Sequence, residues 1–161
     1  MAQVTEITER TEDYLEAIHN IMGKKGYARV KDVSDVLGVA LSSVTEMFQK
    51  LSDAGYINYE KYSGVTLTES GRKIAQDTKK RHTILKEFLM ILGIDFAIAD
   101  SDACKIEHVV TPETLERLTK FVEFVGESEE GPLWLDHFKL YYTTGKYIGC
   151  PPEEREKCLH Q

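Results

Sequence analysis

The sequence predicts a mainly α-helical chain whose first part is a winged helix-turn-helix with a two-stranded wing, and three observations predict it. Apolar residues recur near a period of 3.6 over most of the chain. Two short helical stretches flank a turn at Gly38, and the second turns small polar side chains outward. Directly behind them, Gly55-Tyr56-Ile57-Asn58-Tyr59-Glu60-Lys61-Tyr62 is rich in β-forming residues, Ser63-Gly64 supplies a turn, and Val65-Thr66-Leu67-Thr68 alternates as a returning strand. The two helices alone fit any helical hairpin; the strand pair selects the winged form.

The first helix is expected from about Ile7 to Met22, with Tyr14, Leu15, Ile18, Ile21 and Met22 on its apolar side, ending before Gly23-Lys24-Lys25-Gly26. Its other face carries Glu9, Asp13 and Glu16, like charges that repel unless solvated or bridged by a cation. Ala28 to Leu37 forms the next helix. Ser42 to Ala54 follows, with Val44, Met47, Phe48 and Leu51 inward and Ser42, Ser43, Thr45, Glu46, Gln49 and Lys50 outward. After the wing, Thr68-Glu69-Ser70-Gly71 opens a long helix reaching about Leu92, which carries His82 and is ended by Gly93-Ile94-Asp95. Asp100 to His108 reads as another helix, and Thr111 caps a further one through Val125, with Pro112 in its first turn. An acidic loop from Gly126 to Gly131 leads into a tail crowded with Trp134, Phe138, Tyr141, Tyr142 and Tyr147, then Cys150 and Cys158.

A chain of 161 residues suits one compact domain or two small ones sharing a long helix. Three cysteines at irregular spacing make no disulfide framework, there is no basic-then-apolar leader, and no apolar stretch is long enough for a bilayer; a cytoplasmic protein without a membrane partner is expected. The net charge of −7 is unevenly spread. Residues 22–82 carry eleven Lys/Arg against seven Asp/Glu, whereas residues 1–21 carry one against five and residues 83–161 eight against fifteen. A mildly basic segment between acidic ones fits a DNA-reading module joined to regions that bind cations or a partner chain.

Cys104, Glu107 and His108 stand at i, i+3 and i+4, so on a helix their side chains leave one face. Asp13 and Glu16 stand at i and i+3, and His82 lies in Lys80-Arg81-His82-Thr83. Each piece alone has an ordinary explanation: a solvated Glu-His pair, or first-turn acids favoured by the helix dipole. Together, beside a DNA-binding pattern, the six side chains suit one divalent ion held in a polar, hydrated cleft. Carboxylate and imidazole fit Mn²⁺ or Fe²⁺, while the Cys104 thiolate shifts preference toward Fe²⁺, Zn²⁺, Co²⁺ or Ni²⁺. In the tail, His137, Cys150, Cys158 and His160 offer a weak second metal site for Zn²⁺; their spacing matches no zinc motif, and incidental cysteines beside aromatics packed on the dimerisation domain are the better explanation.

At these residues the chain resembles the diphtheria toxin repressor family, and more closely its manganese transport regulator branch. The resemblance runs from about Thr11 to Phe124 on Glu12-Asp13-Tyr14-Leu15-Glu16, Gly26-Tyr27-Ala28-Arg29-Val30, Ser42-Ser43-Val44-Thr45, Tyr59-Glu60-Lys61-Tyr62, Arg81-His82 and Ile106-Glu107-His108. It implies a homodimeric winged-helix repressor that binds palindromic operator DNA when loaded with its metal, the long helix linking the reader to an α-helical dimerisation domain. Segments follow: residues 1–72 as the DNA-binding domain, 73–130 for metal binding and dimerisation, and 131–161 as a tail packed on the latter.

By the same resemblance, Asp13, Glu16, His82, Glu107 and His108 match ligands of the manganese branch. Cys104 matches the Cys of the iron-responsive branch, where the manganese branch has Glu, and Asp13 stands where the iron branch has Met. The family's accessory site calls for a Glu one turn after the histidine, where this chain has Lys86, and Asp100 stands where the iron branch has His. The chain is too short for the C-terminal SH3-like domain of larger members. On DNA, Ser42, Ser43, Thr45 and Gln49 are expected at bases and Lys50, Lys61 and Tyr62 at phosphates, with the acidic Glu46 lowering affinity or shifting the operator preferred. Two other readings compete. One is a winged-helix regulator that needs no metal; the other is a small metallohydrolase with Glu107 as general base, disfavoured because six protein ligands leave no open position for water. Neither an enzyme nor a small-molecule substrate is expected.

Overall fold

The computed structural model describes residues 7–60, 63–127 and 132–147. Among them are seven α-helices and one two-stranded antiparallel sheet. The chain divides into two compact units, residues 1–80 and 81–161, with the division inside one long helix.

In the first unit, α1 (Glu9–Lys25) begins where the Thr8 side chain accepts the Thr11 N–H. It runs through Gly23, further than the sequence suggested. Lys24 and Lys25 suit the negative end of the helix dipole, and the helix stops only where Gly26 takes φ 82°. Then α2 (Val30–Leu37) starts two residues later than expected, because Ala28 pairs with Val65 through hydrogen bonds of 3.0 and 2.7 Å and so extends the hairpin. The Asp32 carboxylate fixes the helix start: it accepts from the Arg29 N–H at 3.0 Å and from Lys25 Nζ at 2.6 Å. The Lys25 hydrogen bond leads the effects that hold the Asp32 carboxyl below the ordinary carboxylate range.

Helix α3 (Leu41–Asp53) buries Val44, Phe48 and Leu51. Strands β1 (Ile57–Glu60) and β2 (Gly64–Leu67) pair with Ile57 opposite Leu67 and Tyr59 opposite Val65. Ile57, Val65 and Leu67 face inward, joining Tyr14, Leu15 and Ile18 of α1 in a single apolar cluster. The Tyr59 ring meets Phe48 edge-on at 5.5 Å, so the wing is pinned to α3. At the start of α4 (Glu69–Ile91), Thr68 Oγ1 accepts from the Gly71 N–H at 3.2 Å and donates to Gly55 O at 2.8 Å.

In the second unit, α5 (Phe96–Ile106) is capped by Asp95, α6 (Pro112–Gly126) by Thr111 with Pro112 at its first turn, and α7 (Leu133–Thr144) ends at Gly145, φ 68°. The aromatic tail is thus a helix in its first part. A chain of rings, Phe88 to Phe121 at 5.6 Å and Phe121 to Trp134 at 5.9 Å, together with buried Leu135, ties α7 to α4 and α6. Among the described residues no helix is long and apolar enough to cross a membrane.

Candidate metal centre and nucleic-acid interface

In the second unit, α4 presents His82 from mid-helix and the end of α5 presents Glu107 and His108. The helix stops at Ile106, two residues earlier than the sequence suggested, but Glu107 keeps helical angles as its cap and its N–H still bonds Ala103 O at 2.9 Å. The spacing of the Cys-x-x-Glu-His stretch therefore survives as far as Glu107, while His108 lies in the turn beyond.

Glu107 is fully buried, with Oε2 2.8 Å from His82 Nδ1 and Oε1 3.5 Å from His108 Nε2. On its other side His82 Nε2 lies 3.0 Å from Asp100 Oδ1, which also accepts from Lys86 Nζ at 3.1 Å. His82 first, then Lys86, hold the Asp100 carboxyl below the ordinary carboxylate range by hydrogen bonding to its charged form. The expectation of a hydrated cleft is corrected here. No water reaches Glu107, and the His108 side chain is 3% exposed. Ala99 and Ala103, both fully buried one turn apart on α5, leave no bulk to hold the helix away from its neighbours.

A desolvated carboxylate is costly unless partnered by donors or a cation. Flanked by two imidazole nitrogens, Glu107 belongs to a donor set of the kind a borderline divalent ion accepts, so the residues present fit a metal. Of the six candidate ligands, the structure brings His82, Glu107 and His108 together. Cys104 stands one turn before Glu107 with its side chain exposed. Asp13 and Glu16 belong to the first unit, one turn apart on α1 and half-buried. In the tail, His137 is half-buried on α7, and Cys150, Cys158 and His160 lie outside the described residues. Sequence reasoning placed Asp100 only at an accessory position and not beside His82 in this cluster; its signal was the i, i+4, i+7 stripe it forms with Cys104 and Glu107.

On α3, Ser42, Thr45, Gln49 and Lys50 are exposed, whereas Ser43 is half-buried rather than fully outward. Thr45 donates to Leu41 O at 2.9 Å and Gln49 Nε2 to Asp53 Oδ1 at 2.9 Å, which orients both side chains. Lys61 and Tyr62 lie outside the described residues. A groove beside α3 is lined by Arg29, Lys31, Thr45, Tyr59 and Gly64, and a second recess by Thr45, Glu46, Gln49 and Tyr59. The basic pair Arg29 and Lys31 at the start of α2 lines the first groove and was not singled out from the sequence; its signal was two cations at i and i+2 within the basic middle segment.

Residues 6–65 match the iron dependent repressor N-terminal DNA binding domain, and residues 68–134 the iron dependent repressor metal binding and dimerisation domain. The chain is 42% identical over 123 residues to the HTH-type transcriptional regulator MntR of Bacillus pumilus (strain SAFR-032), covering 76% of this chain and 85% of that protein. It is 39% identical over 123 residues to the regulator of the same name from Lysinibacillus sphaericus (strain C3-41), covering 76% and 88%. It is also similar to the solved structure of a manganese-dependent transcriptional repressor in complex with manganese, with a TM-score of 0.66 and 27% identity over 75% of this chain. This chain spans 60% of the length of that one. The resemblance, the winged-helix architecture and the class of regulator read from the sequence are borne out. The chain belongs to the iron dependent repressor family of metal-dependent, DNA-binding transcriptional regulators, with its DNA-binding domain in residues 6–65 and its metal-binding and dimerisation domain in residues 68–134.

Proposed function

We propose that the protein is a homodimeric cytoplasmic repressor that binds palindromic operator DNA when loaded with Mn²⁺ or Fe²⁺ and controls genes of metal homeostasis. The observation that carries this reading is the fully buried Glu107 carboxylate set between His82 and His108, in a chain that also carries a winged helix. His82, Glu107 and His108 hold the ion, with Asp13 and Glu16 of α1 and Cys104 as further ligands. Holding one ion through residues 13–16 and 82–108 would restrain the reader, which lowers the ordering cost of placing two readers on DNA. Residues 1–72 read DNA, residues 73–130 bind metal and dimerise, and residues 131–161 are a tail that packs on the dimerisation segment. Phe96, Ile98 and Phe124 are each more than half exposed, and Tyr142 is 80% exposed, an apolar surface of the kind a partner subunit covers. The role is regulatory, with no catalytic residue assigned.

On DNA, Ser42, Ser43, Thr45 and Gln49 approach base edges, and Lys50, Lys61 and Tyr62 approach phosphate, joined by Arg29 and Lys31. Two readers on one face of the duplex require half-sites about one turn apart, roughly 34–36 Å. Operator binding is expected to vanish on chelation and return with Mn²⁺ or Fe²⁺, measured by footprinting. A footprint indifferent to chelator instead supports the metal-independent regulator.

Cys104 sets the metal preference. Replacing Cys104→Glu is expected to raise affinity for Mn²⁺ relative to Co²⁺, and the wild-type Co²⁺ complex should show a thiolate charge-transfer band that the variant lacks. Identical metal ranking and no such band would remove Cys104 from the ligand set, leaving manganese as the better match.

A further inference from the structure

Four side chains of the second unit stand in one hydrogen-bonded row: Glu107 to His82 at 2.8 Å, His82 to Asp100 at 3.0 Å, and Asp100 to Lys86 at 3.1 Å. His82 and Lys86 lie one turn apart on α4, so an imidazole and an ammonium converge on the same Asp100 oxygen. Lys86 does not wave in solvent. Its side chain is 23% exposed, and Nζ sits 5.1 Å from the centroid of the Phe96 ring, a cation–π contact that helps keep the charge in place. Without that ammonium, Asp100 and His82 would be a carboxylate–imidazole pair open to another divalent ion. With it, any cation reaching the same oxygen meets a like charge at close range.

We propose that Lys86 is a built-in cation of the metal centre. It holds Asp100 as the acceptor of the His82 Nε2–H, which leaves Nδ1, the nitrogen facing Glu107, for the metal, and it closes Asp100 to a second ion, so each protomer loads one divalent ion at this cluster. Asp100 is then a positioning residue that sets the tautomer and ring orientation of His82. The inference rests on the metal-binding reading above and adds to it a stoichiometry and two residues.

The test is equilibrium dialysis of the full chain against Mn²⁺, an ion that cysteine-rich segments disfavour, for wild type, Lys86→Glu, Asp100→Ala and Asp100→Asn. Wild type is expected to take up one ion per protomer and Lys86→Glu a second. Asp100→Ala is expected to weaken the single ion about 10–100-fold, and Asp100→Asn, which keeps an acceptor oxygen, to recover most of that loss. In the Zn²⁺-loaded protein, ¹⁵N shifts of His82 should place the metal on Nδ1 and the proton on Nε2, a pattern that Asp100→Ala loses. Asp100 and Lys86 both reach solvent, so the variants should fold, which circular dichroism checks. Two ions in wild type, one ion in Lys86→Glu, or an Asp100→Ala variant of wild-type affinity overturns the inference while leaving the metal-dependent function standing. A wild-type protein that takes up no Mn²⁺ overturns both.

Discussion

Glu107→Gln is expected to abolish metal-activated operator binding while leaving the protein folded. Glu107 is the fully buried anion of the cluster, and an amide of the same shape keeps an oxygen facing His82 but loses the negative charge that draws a divalent ion. Substituting groups one shell out from a metal costs about 10–100-fold in affinity, and removal of a ligand charge should exceed that. The check is operator binding by fluorescence anisotropy across a Mn²⁺ titration. A Gln variant that responds to metal like wild type removes Glu107 from the site.

Burial makes the harsher substitution informative in a different way. Glu107→Ala leaves the buried His108 imidazole and the half-buried His82 imidazole facing a void, and breaking a buried charged pair costs about 3–5 kcal/mol. In the hydrated cleft that the sequence suggested, this variant would stay folded. The buried geometry predicts instead a marked loss of stability in urea melts, so the Gln variant is the one that separates metal binding from folding.

The second large effect has no connection to the metal. Gly71 sits in the first turns of α4, where an added Cβ would lie 2.0 Å from the backbone oxygen of Tyr56 and 2.9 Å from its carbonyl carbon. That carbonyl cannot move aside. It accepts from the Thr68 N–H at 3.0 Å, and the Tyr56 N–H donates to Leu51 O at 2.9 Å, so the backbone is tied on both sides. Gly71→Ala must push α4 away from the hairpin, pulling Thr68 from Gly55 and opening the core beside Ala75. A cost of about 3 kcal/mol or more is expected, because the clash is with backbone rather than a flexible side chain. Alanine's better helix propensity, about 1 kcal/mol, does not offset it. A variant as stable as wild type to chemical denaturation, or more so, contradicts this packing.

Much of the chain was legible because its signals are local. The cap at Thr111 with Pro112, the Gly38 turn between α2 and α3, and the end of α4 within one residue of Leu92 follow from a few neighbouring residues acting on their own backbone. The helical spacing that singled out Cys104, Glu107 and His108, and the strand alternation of the wing, are likewise short-range periodicities. They sufficed to indicate the class of fold and the type of chemistry.

What needed the tertiary structure is everything set by which elements lie side by side. Ala28 left its helix to pair with Val65, a partner 37 positions away that no local propensity names. The helix in the aromatic tail is held by Trp134 against Phe121 and by buried Leu135, contacts that crowded aromatic residues do not announce in sequence. Glu107 and Cys104 look alike as ligands at i and i+3, yet one is fully buried and the other exposed, because burial depends on the element packed against each side chain and not on its spacing. The row from Glu107 through His82 and Asp100 to Lys86 joins residues as far as 25 positions apart. Periodicity placed these groups on the correct faces of two helices, but only the packing of α4 against α5 decided that an ammonium, rather than open water, stands at the far end of the site.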